Sequence, residues 1–299
     1  MEMSKTTCSR EKLYRRFVAF PYCFFHSRHI LQARTAPGRW AGIQKGTMSM
    51  LSAYDQQGTL TVAWETEREH GPFSCPECER QVVAKKGQFI IHHFAHSPGS
   101  NCSYGTGESW EHWRAKFEMY NALRNHPLVS NLYVELPLGP VRPDISFCWE
   151  ERIQIAIELQ RSSLPPADVA RRTSIYDGKN IAVLWVSLPR DRFWTGARCS
   201  TRVWERYLHE LYDGKIFCWH GGEELVATRL DPYVLRRKYR EWFDRRSGTW
   251  CEKEIQHLSK RLRIPTHYGI VRITGMKLIE VLPQQRGQFS LPKAKLWSL

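Results

Sequence analysis

No apolar run in the sequence approaches the roughly 20 residues needed to cross a bilayer; the longest candidates, such as residues 181–186, are the length of a strand. A transmembrane role is therefore not expected. An export signal is not expected either, because Pro21 interrupts the apolar stretch that follows Arg15 and Arg16 and no small-residue cleavage site follows cleanly. Internal repeats and low-complexity tracts are missing, which excludes solenoids and long disordered chains. A paired cysteine framework is missing too. The nine cysteines are an odd number, and Cys8, Cys23, Cys148, Cys199, Cys218 and Cys251 stand alone, which fits a reducing bacterial cytoplasm rather than a secreted scaffold. Acids are scarce: 30 Asp and Glu stand against 44 Lys and Arg, giving a net charge of +14. Such an excess of cations favours a polyanionic partner, since clustered Lys and Arg gain free energy by releasing counterions from phosphates.

What is present divides along the chain. A length of 299 residues allows two or three compact units. Residues 1–47 hold nine Lys or Arg and two acids, half of the net charge, without helical or strand periodicity. They are expected to be a disordered basic extension or to lie upstream of the true start, because Met48-Ser49-Met50-Leu51 opens the first well-patterned stretch. A metal-binding knuckle is expected over 48–104, an α/β unit over 105–190 and a basic, aromatic-rich unit over 191–299.

The knuckle is read from Cys75-Pro76-Glu77-Cys78, followed by His93-Phe94-Ala95-His96 and then Cys102. Two thiolates separated by two residues grip one tetrahedral Zn²⁺ from a tight turn, and a second pair from a distant segment completes four-coordination. His92, His93, His96 and Cys102 compete for those two places. The histidine spacing does not fit a ββα finger, so a ribbon-like or treble-clef-like knuckle is expected, with a structural rather than a catalytic Zn²⁺.

Next, residues 109–125 read as a helix with Trp110, Trp113, Phe117, Tyr120 and Leu123 on one apolar stripe. Glu108, His112 and Lys116 follow one another at four-residue steps, a spacing that taken alone is that of a solvated face. Three strands follow over 132–138, 141–148 and 152–160, as an antiparallel meander. Alternation sets Glu158 and Gln160 on one face of the third strand, and pairing with the second brings Asp144 close to Glu158. Adjacent carboxylates repel and are costly to desolvate, so their proximity calls for a cation or a shared proton. Mg²⁺ or Mn²⁺ suits such oxygen ligands. Pro165-Pro166 then opens a helix through Arg171, Arg172 and Tyr176, and residues 180–186 form a buried strand.

This order, helix, three strands, helix and strand, with CPEC, HFAH, Glu108-Ser109, His112, Lys116, the Arg142-Pro143-Asp144 triplet, Glu158-Leu159-Gln160-Arg161-Ser162, Arg172 and Tyr176, resembles the competence protein CoiA-like family of the PD-(D/E)xK nuclease superfamily. The resemblance covers residues 48–189. It implies an α/β fold (α+β mixed sheet) with a restriction-endonuclease-like core, an N-terminal zinc knuckle and a basic C-terminal α/β extension. It further implies Glu108, Asp144 and Glu158 as Mg²⁺-binding acids, with Gln160 where many nucleases of this fold carry Lys. Gln is neutral and orients only through hydrogen bonds, so Lys116 or His112 is a candidate for the missing charge or proton function.

The implied function is metal-dependent processing of DNA, in particular single-stranded DNA, during uptake and recombination, with recombination proteins as further partners. Two alternatives stand beside it: a binding module with weak or lost hydrolysis, and a defence or restriction nuclease. Arg161, Arg171 and Arg172 are candidate phosphate ligands. In the C-terminal unit, a helix is expected over 202–212 and hairpin segments over 215–219 and 225–229. A basic helix is expected after Asp231-Pro232, carrying Arg236, Arg237, Lys238 and Arg240 among Tyr233, Tyr239, Trp242 and Phe243, a mixture suited to single strands.

Overall fold

The structure, a computed structural model, describes residues 50–299 apart from 88–90 and 106. The basic extension expected over 1–47 lies outside the described residues. At the N-terminal side, β1 (Ser52–Tyr54), β2 (Leu60–Val62), β3 (Phe73–Ser74), β4 (Gln81–Lys85) and β5 (His93–His96) form an antiparallel sheet in the order β2-β1-β3-β4-β5. In β4 the burial alternates: Val82 and Ala84 point inward, while Gln81, Val83 and Lys85 are exposed. The inward side chains meet Met50, Phe73 and Phe94 in a small core that also contains Cys75, Cys102 and Tyr104. A core built from such short strands buries little apolar area, so a cross-link at its cysteines has much to contribute.

Helix α1 (Trp110–Leu123) begins at Ser109, whose Oγ accepts a hydrogen bond from the His112 N–H at 3.3 Å. The helix is buried on two sides, which the single apolar stripe did not anticipate. Trp110, Trp113, Phe117 and Tyr120 pack with Trp64 and Leu51 of the N-terminal sheet, whereas Ala115, Met119 and Leu123 enter the larger core. Little of the helix is left to solvent. Lys116, on a face that spacing alone would assign to solvent, is therefore completely buried.

After α1, β6 (Val129–Val134), β7 (Ile145–Trp149) and β8 (Ile153–Gln160) form the expected antiparallel meander. Helix α2 (Pro166–Gly178), with proline in its first turn where no N–H is needed, crosses to β9 (Ala182–Ser187), which runs parallel to β8 with Ile157 opposite Leu184. Every residue of β7 and β9 is buried, the pattern of strands covered on both faces. Against that background the buried carboxylates of Asp144 and Glu158 stand out.

The chain continues through β10 (Cys199–Ser200), α3 (Val203–Leu211), β11 (Ile216–Gly221), β12 (Glu224–Asp244), β13 (Thr249–Arg272), β14 (Lys277–Val281), β15 (Gln284–Arg286), β16 (Phe289–Leu291) and β17 (Ala294–Ser298). Both β11 and β17 pair in parallel with β9, so one mixed sheet of ten strands runs through the molecule. Residues 191–299 share its hydrophobic core rather than enclosing a second one, with Trp185, Trp204 and Trp297 all in the same cluster. The mixed α/β architecture is the one expected. No helix among the described residues is long and apolar enough to cross a membrane.

One expected element is corrected. The basic helix proposed after Asp231-Pro232 does not form; these residues belong to β12, paired along its length with β13. The turn between them is closed by Asp244, which accepts from the Arg246 N–H at 2.9 Å and the Ser247 hydroxyl at 3.0 Å, and by Gly248 in the left-handed region at φ +68°. Local charge and aromatic spacing favoured a helix. The partner strand, which satisfies the backbone groups of alternate residues of that segment, lies beyond the window that such spacing samples.

Candidate functional site

The cysteine turn sits between β3 and β4. Its backbone folds back through Glu79 N to Cys75 O and Cys75 N to Arg80 O, both 2.9 Å, and Glu79 adopts a left-handed φ of +59°. The Glu77 N–H points at Cys75 Sγ at 3.4 Å. His96 arrives from the end of β5 and Cys102 from the following loop. Cys75 Sγ lies 3.9 Å from Cys102 Sγ, and Cys78 Sγ 3.2 Å from His96 Nε2. All four ligand atoms lie within 4.8 Å of one another. Three sulfurs and one imidazole make a soft donor set that could hold a structural metal, and their number and chemistry fit the four ligands of a closed Zn²⁺ site. Burial pushes the Cys75 thiol up to about 11, whereas at Cys78 the Arg80 N–H and His96 outweigh burial and bring the thiol down to about 6. Among the competing residues the cluster contains His96 and Cys102. His93 instead has Nδ1 3.0 Å from the Ile91 carbonyl and packs its ring against Trp113, and His92 is not part of the cluster.

The carboxylates line a cleft of about 290 Å³. Glu108 enters just before α1, His112 and Lys116 from its first two turns, and Asp144 immediately before β7. Lys116 Nζ donates to Glu108 Oε1 at 2.8 Å and to Glu135 Oε1 at 2.8 Å, and lies 3.0 Å from Asp144 Oδ1. His112 bridges two acids, with Nε2 3.1 Å from Asp144 Oδ2 and Nδ1 3.5 Å from Glu108 Oε2. Asp144 is fixed to the neighbouring strand because its Oδ2 accepts the Leu159 N–H at 2.7 Å.

Charge sets the protonation states. Burial alone would raise the Glu108 carboxyl, but Lys116 and His112 hold it down to about 2. Asp144 is likewise held well below the carboxylate range, against burial, by His112 and Lys116. Burial opposes charge on His112, yet Asp144 and Glu108 raise its pKa to about 9. The Lys116 ammonium, despite its burial, is held charged by Glu108, Glu135 and Asp144. Glu158 lines the same cleft, but its Oε1 accepts from Arg172 and from the Tyr176 hydroxyl, both on α2. Burial holds its carboxyl up near 7 against the pull of Arg172.

Glu108, His112 and Asp144 form a second compact group, with ligand atoms within 4.8 Å of one another. Two carboxylate oxygens and an imidazole suit a hard or borderline divalent cation. Gln160 also lines the cleft, but its amide nitrogen donates to the Ser162 carbonyl at 2.9 Å, away from the acids. Arg161 pairs with Glu111 at 3.0 Å and Arg171 with Asp168 at 3.6 Å, whereas Arg172 is committed to Glu158. Arg236, Arg237, Lys238 and Arg240 lie on the β12 ribbon and do not line the cleft.

Glu135 and Tyr104 were not singled out from the sequence, and Arg142 was noted there only as part of the triplet with Asp144. Glu135 is almost fully buried just after the end of β6, a lone acid in the otherwise apolar run 132–138, and that isolation was the available signal. It accepts from Tyr104 OH at 2.7 Å and from the Leu51 N–H at 3.1 Å. Arg142 stacks its guanidinium 3.9 Å from the centre of the Tyr104 ring and pairs with Glu77 inside the cysteine turn. A continuous path of contacts thus runs from Glu77 through Arg142, Tyr104 and Glu135 to Lys116.

Comparison with known families assigns both parts. Residues 59–105 match the N-terminal domain of competence protein CoiA, and residues 108–198 match its nuclease-like domain. No curated protein and no solved structure gives a significant match. The first match spans the cysteine cluster and the second the acidic cleft, in the order in which the geometry joins them. On these two domains the chain belongs to the competence protein CoiA-like family.

Proposed function

We propose that the protein is a metal-dependent deoxyribonuclease acting on DNA, in particular single-stranded DNA, in the bacterial cytoplasm during uptake and recombination. The observation that carries this reading is the convergence of Glu108, His112 and Asp144 around one point in a cleft that Glu158 also lines. Carboxylates held so close are expensive unless cations join them. A divalent ion such as Mg²⁺ or Mn²⁺ bound by Glu108, His112 and Asp144 would neutralise charge on a phosphodiester and supply an activated water.

The chain's own groups have separate tasks. Lys116, permanently charged and anchored by Glu108 and Glu135, supplies the positive charge absent at Gln160. Gln160 remains a hydrogen-bonding group at the rim. Arg172 and Tyr176 orient the Glu158 carboxyl, whose raised pKa suits it to accept a proton near neutrality. The Cys75, Cys78, His96 and Cys102 cluster holds Zn²⁺ as a structural ion.

The test is cleavage of labelled DNA with Mg²⁺ or Mn²⁺. Asp144→Asn and Glu158→Gln are each expected to lower the rate by about 100-fold or more while binding stays largely intact. Equal rates in those variants overturn the site. One observation favours a second reading, that of a binding module with weak hydrolysis: Lys116 and Arg172 already compensate Asp144 and Glu158. Binding without cleavage by the unaltered protein under every divalent ion selects that reading.

A further inference from the structure

The β12–β13 ribbon leaves the body of the molecule beyond residues 199–200, where β10 gives it its last neighbour. From Val234 to Asp244 the ribbon has no other strand beside it among the described residues, a reach of about 35 Å at about 3.3 Å per residue. Both of its faces are largely exposed along this length. Cross-strand partners share a face and successive residues alternate, so the register assigns every side chain to a side. A bulge at Tyr239, between the pairs Lys238–Glu254 and Arg240–Lys253, shifts the alternation by one.

The two faces then differ in charge. One carries Lys238, Glu241, Glu252 and Glu254, and Lys238 Nζ is neutralised by Glu241 at 2.9 Å and Glu252 at 2.8 Å. Phe243 and Trp250 stack edge to face at 5.7 Å on that same side. The other face carries Arg237, Arg240 and Lys253, with Trp242 beside them. Its one acid, Asp244, is used to close the turn. The three cations lie within about 7 Å along the ribbon, two residue steps of β13, and none of them has a carboxylate partner among the described residues.

We infer that this one face, Arg237, Arg240 and Lys253 around Trp242, is a binding surface for single-stranded DNA, gripping phosphates with the cations and stacking a base on the indole; the inference rests on the nucleic-acid reading above. Three uncompensated cations repel one another and are relieved by a polyanion, and an exposed indole in their midst offers the π-face that unpaired bases use. A second copy of the same face is opposed by like charge. Neither Lys238 nor Arg236, its neighbour on the acidic side, belongs to the surface.

Adjacent residues of equal chemistry provide the test. Arg236→Glu and Arg237→Glu change the charge of the full-length protein equally but on opposite faces. Binding of a fluorescent oligothymidylate, without added Mg²⁺, is expected to weaken about 10-fold with Arg237→Glu and with Arg240→Glu, and about 5-fold or more with Trp242→Ala. Arg236→Glu is expected to stay within about twofold, with a salt dependence equal to that of the unaltered protein. Equal losses at 236 and 237, unchanged binding in all four variants, or preference for a duplex of the same length overturns the inference. So does failure of the unaltered protein to bind the oligonucleotide. Mg²⁺-dependent cleavage by the unaltered protein is read separately, so a defect in the acidic cleft and a misassigned ribbon give different results.

Discussion

The two clusters of potential metal ligands sit close in sequence and are joined by side-chain contacts, yet they are stabilised in different ways. Cys75, Cys78, His96 and Cys102 come from a turn, a strand end and a loop of a module whose short strands pair over a small core, and no buried charge of the protein's own joins the four. Glu108, His112 and Asp144 stand at the edge of the large core, and Lys116 is already among them with its charge shared by three carboxylates. An ion bound by the first set would add a cross-link to a module with little core of its own. The second is organised beforehand by the protein, so an ion entering it finds ligands already in position. That difference supports the proposal of a structural ion at the first set and an exchangeable one at the second.

The largest expected effect comes from breaking the first cluster. Cys75→Ser is expected to abolish stoichiometric zinc, measured by atomic emission on the purified protein, and to unfold the residues around the turn, since structural Zn²⁺ contributes on the order of 10 kcal/mol to such modules. Unchanged zinc content removes Cys75 as a ligand. Because Glu77 holds Arg142 and Tyr104 holds Glu135, zinc loss should also disturb the acidic cleft.

Lys116→Met tests the second cluster and should be next in size. It leaves Glu108, Glu135 and Asp144 without their shared ammonium, and destabilisation by about 3–5 kcal/mol in urea melts without divalent ions is expected. Added Mg²⁺ should restore part of this if the carboxylates then bind the ion. No loss of stability would mean that Lys116 is not the organising charge.

The smallest effect is the pH dependence of His112. Its folded pKa of about 9 lies above its ordinary value of 6.5, so its contribution is complete below about pH 6.5 and is lost as pH rises through about 9. In melts without divalent ions, His112→Gln should flatten the stability profile between those limits. An unchanged slope would show that the Asp144 and Glu108 contacts do not retain the proton.

Much of this site was legible in the sequence because its residues are tied to local patterns. Ser109 announces the start of α1, Pro165-Pro166 that of α2, and the apolar runs around Glu158 mark a buried strand. Once Ile145 pairs with Ile157, the residues preceding and following them, Asp144 and Glu158, come together by register. Glu135 was not legible, since it lies twelve positions beyond the end of α1 at Leu123 and only the path of β6 brings it back to Lys116. The ribbon was misread for a related reason: its aromatic and cationic residues fit a helical period, and their strand partner lies on the far side of the turn.

The sequence by itself determined the order of elements from α1 to β9, the cysteine turn and the approach of Asp144 to Glu158, because these depend on residues adjacent in the chain or on one strand's alternation. Tertiary structure decided which histidine joins the cysteines, that Lys116 is interior, and which cations of the ribbon remain unpaired. Those outcomes depend on which segments pack against one another. Burial and charge balance are properties of that packing, and a linear pattern carries them only where one element alone supplies both partners.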